Sequence, residues 1–192
     1  MGTHNHNHDT KNVSENKLIF VIILNLIITA AEIIGGIISG SLALISDALH
    51  NLSDSVAVFC SLIAIKVSKR PPTDAKTFGY KRIEILVAFF NAATLVGISI
   101  YLFVEAYHSF FNPKPINTTI MIIVATITLI ANVISTLLLQ NDAKDNLNMR
   151  SAYLHLLSDA VIALSVLISA ILIRQFEIYW IDPVISRPLK SH

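Results

Sequence analysis

Cysteine and charge are both scarce in this sequence. Its 192 residues include one cysteine, Cys60, which excludes an internal disulfide and a cluster of thiolate ligands. Only 14% of the residues are charged, whereas 54% are hydrophobic and the mean hydropathy is +0.65. Soluble domains carry about 25% charged residues, so this composition indicates an integral membrane protein. The net charge of +1 gives no reason to expect a nucleic-acid partner.

Long apolar runs take up most of the chain. A hydrocarbon core of about 30 Å requires about 20 apolar residues in a helix. Five windows reach that length: Leu18–Ile38, Leu42–Lys66, Ile83–Tyr107, Ile116–Gln140 and Ala152–Arg174. The first window carries Glu32 and lacks a small-residue cleavage site, so it is not typical of a signal peptide. The sequence therefore predicts an all-α, polytopic helical bundle in a lipid bilayer.

The basic residues predict the orientation of these spans. Six of them cluster near the connection between the second and third spans: Lys66, Lys69, Arg70, Lys76, Lys81 and Arg82. The connection 39–41 between the first two spans carries no charge. By the positive-inside rule the basic connection is cytoplasmic. This predicts a cytoplasmic N-terminus in a plasma or inner membrane.

One eight-residue segment occurs twice inside the predicted spans. It reads LHNLSDSV at 49–56 and LHLLSDAV at 154–161. Each copy places a His and an Asp four residues apart, which is one face of a helix. The two pairs are His50 with Asp54 and His155 with Asp159. A central Asp costs about 2.5 to 3.5 kcal/mol on membrane-insertion scales, so we expect these pairs to bind a metal.

The predicted topology makes the second and fifth spans antiparallel, so the two pairs face one site between inverted repeats. Two imidazoles and two carboxylates carry a charge of minus two, which a divalent cation cancels, and such ligands suit tetrahedral zinc. Calcium and magnesium prefer oxygen shells, and copper(I) prefers sulfur. We expect zinc, with cobalt, cadmium, nickel or iron(II) as alternatives. Protons should leave when the metal binds.

Further segments accompany the repeat in a fixed order. They are EIIGG at 32–36, SGSLAL at 39–44, DALHNLSD at 47–54, FGY at 78–80, Arg82, EIL at 84–86, Asn91 and WIDP at 180–183. Together they resemble the cation diffusion facilitators, a family of divalent-metal/proton antiporters of the zinc-exporter type. The resemblance implies that His50, Asp54, His155 and Asp159 are the intramembrane metal ligands. It also implies export from the cytoplasm by alternating access, and a homodimer.

The end of the chain differs from that family's usual pattern of six spans followed by a cytoplasmic metal-sensing domain. The WIDP segment resembles the opening of the sixth span, but Arg187 and Pro188 interrupt the apolar run. We therefore expect five transmembrane helices plus a truncated sixth. The domain boundaries that follow are 1–17 for a His-containing cytoplasmic tail, 18–185 for the cation-efflux transmembrane domain, and 186–192 for a short tail without a C-terminal domain.

Two other functions remain open on the sequence alone. A truncated fragment would bind metal, or pair with a full-length relative, without moving ions. An intramembrane zinc hydrolase would leave one metal position to water and would need a general base. The sequence contains no HExxH segment, and four matched ligands would close the site. We therefore expect a transporter and not an enzyme, with metal ions, protons and lipid as its partners.

Several polar residues near these segments have two interpretations. Asp47 lies three residues before His50 on the same helical face, and we interpret it as a cap or pair near the outer end, with a metal or proton contact as the alternative. Glu32 is interpreted as a structural pair, with a functional role as the alternative. Asn91 and Asn132 are expected to form hydrogen bonds between helices.

Three histidines lie close together near the N-terminus. They are His4, His6 and His8. A short histidine-rich tract of this kind binds metals, so it is a candidate for collecting zinc in the cytosol. The alternative, which we favour, is a disordered or tag-derived tail.

Overall fold

The computed structural model describes residues 6–68, 82–144 and 147–186. Within these ranges the chain is helical: α1 His6–Ser39, α2 Leu42–Ser68, α3 Arg82–Phe111, α4 Thr118–Leu139, a 3₁₀ turn Asp142–Lys144, α5 Leu147–Phe176 and α6 Ile181–Ile185. Each of the five predicted windows coincides with one long helix. The predictions for His4, the FGY segment, Lys69 to Lys81 and Arg187 onward lie outside the described residues.

Four helices in the described ranges are long and apolar enough to cross a membrane. They are Lys17–Ser39 of α1, Ile85–Phe111 of α3, Thr118–Leu139 of α4 and Met149–Phe176 of α5. The 27-residue α2 is not among these four, and α6 has only five residues. The chain is therefore a helical integral membrane protein. The four candidate spans do not establish the five spans plus a truncated sixth that the sequence predicts.

The helices alternate in direction through the bundle. α1 packs between α2 and α4, α4 pairs with α5, and α3 packs on α2. At one end, the Asn117 amide donates to the Ser39 carbonyl over 2.9 Å. At the other end, the Lys17 ammonium contacts the Asp142 carboxylate at 2.8 Å. We call these the α1–α2 turn end and the Lys17 end.

The α1–α2 turn is tight because glycine permits its conformation. Gly40 has φ +73°, a left-handed value that residues with a Cβ rarely adopt. The amides of Gly40 and Ser41 both donate to the Gly36 carbonyl, over 2.9 Å and 3.1 Å. This closes the C-terminus of α1 in a manner usual for a helix that ends in glycine, and α2 begins at once in the opposite direction.

Two earlier glycines let α1 approach its neighbours closely. A Cβ on Gly35 would lie 2.6 Å from Val124 Cγ2 of α4, and one on Gly36 would lie 2.7 Å from Ile45 Cγ1 of α2. Small residues at such contacts are a common way of packing membrane helices. As a result Glu32, one turn earlier on α1, is held in the centre of the bundle and is fully buried.

The bundle core contains a polar layer between two apolar clusters. Near the α1–α2 turn end, the cluster consists of Ala43, Leu44, Met121, Ala125, Val166, Ala170 and Ile173. Near the Lys17 end, it consists of Val21, Leu139, Met149 and Leu156. The buried polar layer between them comprises Glu32, Asp47, Asn51, Thr128, Asn132 and Asp159. Its side chains come from α1, α2, α4 and α5, so the layer is where these four helices meet.

Candidate metal centre

The structure brings both predicted His/Asp pairs to one place between α2 and α5. Within the pairs, His50 Nε2 lies 3.8 Å from Asp54 Oδ2, and His155 Nε2 lies 3.6 Å from Asp159 Oδ2. Between the helices, His155 Nε2 lies 3.9 Å from Asp54 Oδ2. The two imidazole rings have centroids 6.4 Å apart. The two His/Asp pairs therefore meet between α2 and α5, as the antiparallel arrangement of the repeats predicted. The role of the four residues as metal ligands stays a prediction.

The four side chains differ sharply in burial. The Asp159 side chain is 1% exposed, whereas those of Asp54 and His155 are each 38% exposed and that of His50 is 49% exposed. Asp159 therefore forms the floor of the group, inside the polar layer. The other three lie at its rim and are partly exposed.

The spacing of these groups is slightly wider than a closed zinc site. Zinc–ligand bonds of about 2.0 Å put tetrahedral ligand atoms about 3.3 Å apart, and the contacts here are 3.6 to 3.9 Å. Among the described residues, no group of three or more His, Cys, Asp or Glu side chains lies close enough together to hold a metal ion as the side chains stand. The four groups therefore have to move before they bind one ion together.

Several polar atoms in the layer lack the partners that buried groups normally have. Within the described part of the chain, both side-chain oxygens of Asp159 and Glu32 are buried without a hydrogen-bond partner. The same holds for both amide atoms of Asn51 and Asn132. Native proteins satisfy most such groups, and a carboxylate without a partner is costly in a low dielectric. The layer therefore has unused capacity for a cation, protons or water.

The structure decides between some of the earlier interpretations. Asn91 Nδ2 donates to the Ala57 carbonyl over 3.5 Å, so the interhelical hydrogen bond predicted for Asn91 is confirmed. The one predicted for Asn132 is wrong, because that amide is buried at a level of α4 where no described donor or acceptor meets it. Glu32 interacts with Thr128, Asp47 and Asn51, although neither of its oxygens has a partner at hydrogen-bond distance and angle, so its structural pairing stays a prediction.

A cavity reaches the candidate site from the α1–α2 turn end. Its volume is about 110 Å³, and Ser46, Asp47 and His50 of α2 line it together with Ser99 of α3 and Ser165 of α5. The remaining lining is mostly apolar, so a few hydroxyl and carboxyl oxygens face an otherwise apolar cavity that includes one of the four side chains, His50. The sequence analysis identified Asp47 but missed both Ser99 and Ser165, since single serines in apolar helices carry no spacing signal.

Thr128 of α4 was also missed, although a signal for it existed. Thr128 and Asn132 are four residues apart in α4, which places both on one face of that helix. That face is buried in the polar layer. The same i, i+4 rule that identified the His/Asp pairs therefore finds the contribution of α4. The N-terminal His6 and His8 lie at the start of α1, and their side chains are outside the described part.

The fold and the paired His/Asp groups define a class of protein: a helical membrane protein with ionisable side chains grouped inside its bundle. Residues 18–187 match the cation efflux transmembrane domain family. The chain belongs to this family, and the resemblance to the cation diffusion facilitators of the zinc-exporter type is confirmed.

Named relatives show the same match at high identity. The metal cation efflux system protein CzcD of Cupriavidus metallidurans is 41% identical over 94% of this chain and 57% of its own length. The zinc transporter ZitB of Pectobacterium atrosepticum is 39% identical over 95% of this chain and 57% of its own length. A cadmium, cobalt and zinc/H(+)-K(+) antiporter of Bacillus velezensis is 42% identical over 95% and 59%. The chain thus spans somewhat more than half the length of these relatives.

Proposed function

We propose that this chain is a divalent-cation transporter that exports zinc from the cytoplasm by proton-coupled alternating access. The observation that carries the proposal is the meeting of two His/Asp pairs, one on α2 and one on α5, inside a membrane bundle. Three relatives whose names describe metal efflux, zinc transport and cation antiport support it. These names describe transport and not catalysis, in line with the expectation that the chain is no enzyme.

In this proposal His50, Asp54, His155 and Asp159 hold the ion as it crosses. Two imidazole nitrogens and two carboxylates neutralise a divalent cation and match the tetrahedral preference of zinc. Cobalt and cadmium, which appear in the name of one relative, accept similar ligands, as do nickel and iron(II).

Proton exchange follows from the charge of the site. When the cation leaves, the carboxylates of Asp54 and Asp159 lose their counter-charge in a low dielectric, and protonation restores neutrality. Binding the next cation expels those protons. We expect the ion to leave through the cavity on the α1–α2 turn side of His50, where Ser46 and Ser99 supply hydroxyl oxygens.

The membrane arrangement we propose has α1 to α5 as five spans and α6 as the opening of a sixth. Residues 18–185 then form the transport domain, with 1–17 and 186–192 as flanking segments. Lys66, Lys144 and Arg150 lie toward the Lys17 end and are exposed, which supports a cytoplasmic location of that end and of the N-terminus. The membrane is then a plasma or inner membrane.

The outer surface of α3 is available to lipid or to a second copy of the chain. Phe89, Phe90, Val96, Tyr101 and Phe103 are all more than half exposed. A face this apolar cannot be left in water. We propose that lipid covers most of it and that the protein works as a homodimer, as members of this family usually do.

The test is zinc flux in proteoliposomes with a pH gradient and a fluorescent zinc reporter inside. The chain is compared with Asp159→Asn and with Glu105→Gln, a control that removes a carboxylate from α3 outside the four ligands. Flux in the parent and the control, but not in Asp159→Asn, supports the proposal. Zinc binding without flux in the parent would assign the chain to the metal-binding fragment, and absence of both would reject the metal site.

A further inference from the structure

The N-terminus of α2 is held by a carboxylate from the far end of the chain. Ser41 Oγ donates to Asp182 Oδ1 over 2.6 Å, and the Leu42 amide donates to Asp182 Oδ2 over 2.6 Å. The Ala43 amide lies 3.4 Å from both oxygens. Asp182 follows Leu42 by 140 residues in the chain, and it is 1% exposed.

This carboxylate completes the hydrogen bonding of the first turn of α2. The first amides of a helix have no partner within the helix, and leaving them unpaired in an apolar environment is costly. The amides of Leu42 and Ala43 donate to Asp182. The Leu44 amide donates to Ser41 Oγ, and the Ile45 amide donates to the Ser41 carbonyl, each over 3.3 Å. A negative charge here also complements the helix dipole.

A second contact fixes the rotation of α2 about its axis. Ser46 Oγ donates to the Ser186 carbonyl over 2.8 Å. Ser46, His50 and Asp54 follow one another at intervals of four residues, so they lie on one face of α2. The segment 182–186 therefore holds the same face that carries two of the four candidate ligands.

The same segment is joined directly to the other ligand-bearing helix. α5 ends at Phe176, and α6 begins at Ile181. α2 packs mainly on α1 and α3, and α5 packs mainly on α4, so direct packing between α2 and α5 is slight. The contact through Asp182 is thus a principal tie between the two halves of the site.

We propose that Asp182 is a positioning residue for metal binding. It sets the height and rotation of α2 relative to α5, and with them the distances from His50 and Asp54 to His155 and Asp159. Metal–ligand distances tolerate deviations of only about 0.2 Å, so a small slip of α2 weakens the site. This inference rests on the proposed metal-binding function and extends it to a residue that touches no ligand atom.

The experiment compares the full chain in detergent with Asp182→Asn, Ser41→Ala and the control Glu177→Gln, an exposed carboxylate five residues from Asp182. Asn keeps the shape but presents an N–H group where an acceptor is needed. Cobalt(II) serves as the probe, because its visible absorption reports the coordination geometry. We expect Asp182→Asn to lower cobalt affinity about 10-fold to 100-fold and to change the spectrum of the bound ion, with a smaller change of the same kind in Ser41→Ala.

A second measurement does not require metal binding. Spin labels are attached through Val56→Cys on α2 and Ile168→Cys on α5, both half-exposed positions, in a Cys60→Ser background. The distance between the labels is measured with and without Asp182→Asn. We expect a shifted or broadened distance distribution in the variant and none in Glu177→Gln.

The outcomes separate this proposal from the proposed function. If Asp182→Asn loses thermal stability but keeps the parent's cobalt affinity, spectrum and label distance, Asp182 only caps a helix and the proposal fails. If the parent binds no cobalt while Asp182→Asn still shifts the labels, the metal function fails and the positioning of α2 by Asp182 stands. Unchanged label distances overturn the positioning role whatever the cobalt result.

Discussion

Asp159 and Asp182 are the same residue type at the same 1% exposure, yet their surroundings are opposite. Asp182 accepts hydrogen bonds from a hydroxyl and from backbone amides. Among the described residues, neither oxygen of Asp159 has a hydrogen-bond partner. A buried carboxylate that is fully paired holds structure together, whereas one without partners is available for a ligand. Burial alone does not distinguish the two, and hydrogen bonding does.

The contrast extends to the regions around them. At the α1–α2 turn end, the Gly36 carbonyl and the first amides of α2 have hydrogen-bond partners, with Asp182 among them. In the polar layer, by comparison, Glu32 and Asn132 are buried and unsatisfied. Unpaired polar groups lower stability and are retained at functional sites. The turn end is therefore the well-bonded part of the bundle, whereas the polar layer contains buried groups that have no hydrogen-bond partner among the described residues.

The largest expected effect is the loss of metal binding on neutralising Asp159. Asp159→Asn removes one of four ligands and half of the negative charge of the site, so we expect zinc affinity to fall at least about 100-fold. Titration calorimetry measures this, with Glu105→Gln as the matched control. Because both Asp159 oxygens lack a hydrogen-bond partner and His155 Nε2 lies 3.6 Å away, we expect folding stability to change little. A large stability loss with intact zinc binding would make Asp159 a structural residue like Asp182.

The next effect is a pH dependence of zinc affinity. Both imidazoles and both carboxylates bind metal only when deprotonated, so protons compete with zinc for the same atoms. The zinc complex is therefore stable at higher pH and dissociates as the pH falls. We expect affinity to drop about tenfold or more between about pH 7 and about pH 5.5. Calorimetry in buffers of different ionisation enthalpy counts the protons released, and a count of zero would exclude proton coupling at this site.

The close contacts of α1 give a third test. In Gly35→Ala the new methyl group would lie 2.6 Å from Val124 Cγ2, and a β-branched side chain has little room to move away. We expect a loss of about 1 to 3 kcal/mol in unfolding free energy, with α1 displaced from α4. Gly97→Ala is the control, because a Cβ there meets nothing within 4 Å. Equal stability of the two variants would mean that α1 packs less tightly than described.

Hydrophobic length and helical periodicity predicted the long helices and the meeting of the His/Asp pairs. These features depend on local sequence, so single windows such as 42–66 were sufficient. The role of Asp182 could not be predicted, because a capping contact across 140 residues leaves no periodic trace. The error at Asn132 has a similar cause: the sequence identifies a polar side chain in a span, but only the packing shows whether a partner lies opposite it.

A fourth prediction concerns a core mutation that, unlike most, should not lower the unfolding free energy. Asn132→Leu replaces an amide that has no partner among the described residues with an apolar group of similar size. We expect unfolding free energy to stay within about 1 kcal/mol or to rise, while Asp182→Leu, which leaves amides of α2 unpaired, should lower it by more. Thermal unfolding in detergent compares the two. A marked loss in Asn132→Leu would show that the amide is satisfied in the membrane by water or an ion.

The smallest expected effect concerns the second contact between α2 and α6. Ser46→Ala removes the hydrogen bond from Ser46 Oγ to the Ser186 carbonyl, and interhelical hydrogen bonds of this kind contribute about 0.6 kcal/mol in membranes. The control is Ser55→Ala, whose hydroxyl bonds only within its own helix, to the Asn51 carbonyl. Both variants should fold with similar stability, so the informative comparison is zinc affinity. A reduction in Ser46→Ala alone would show that the rotation of α2 is transmitted to His50, one turn away, whereas equal affinities would leave Asp182 as the one contact of α6 that matters for the site.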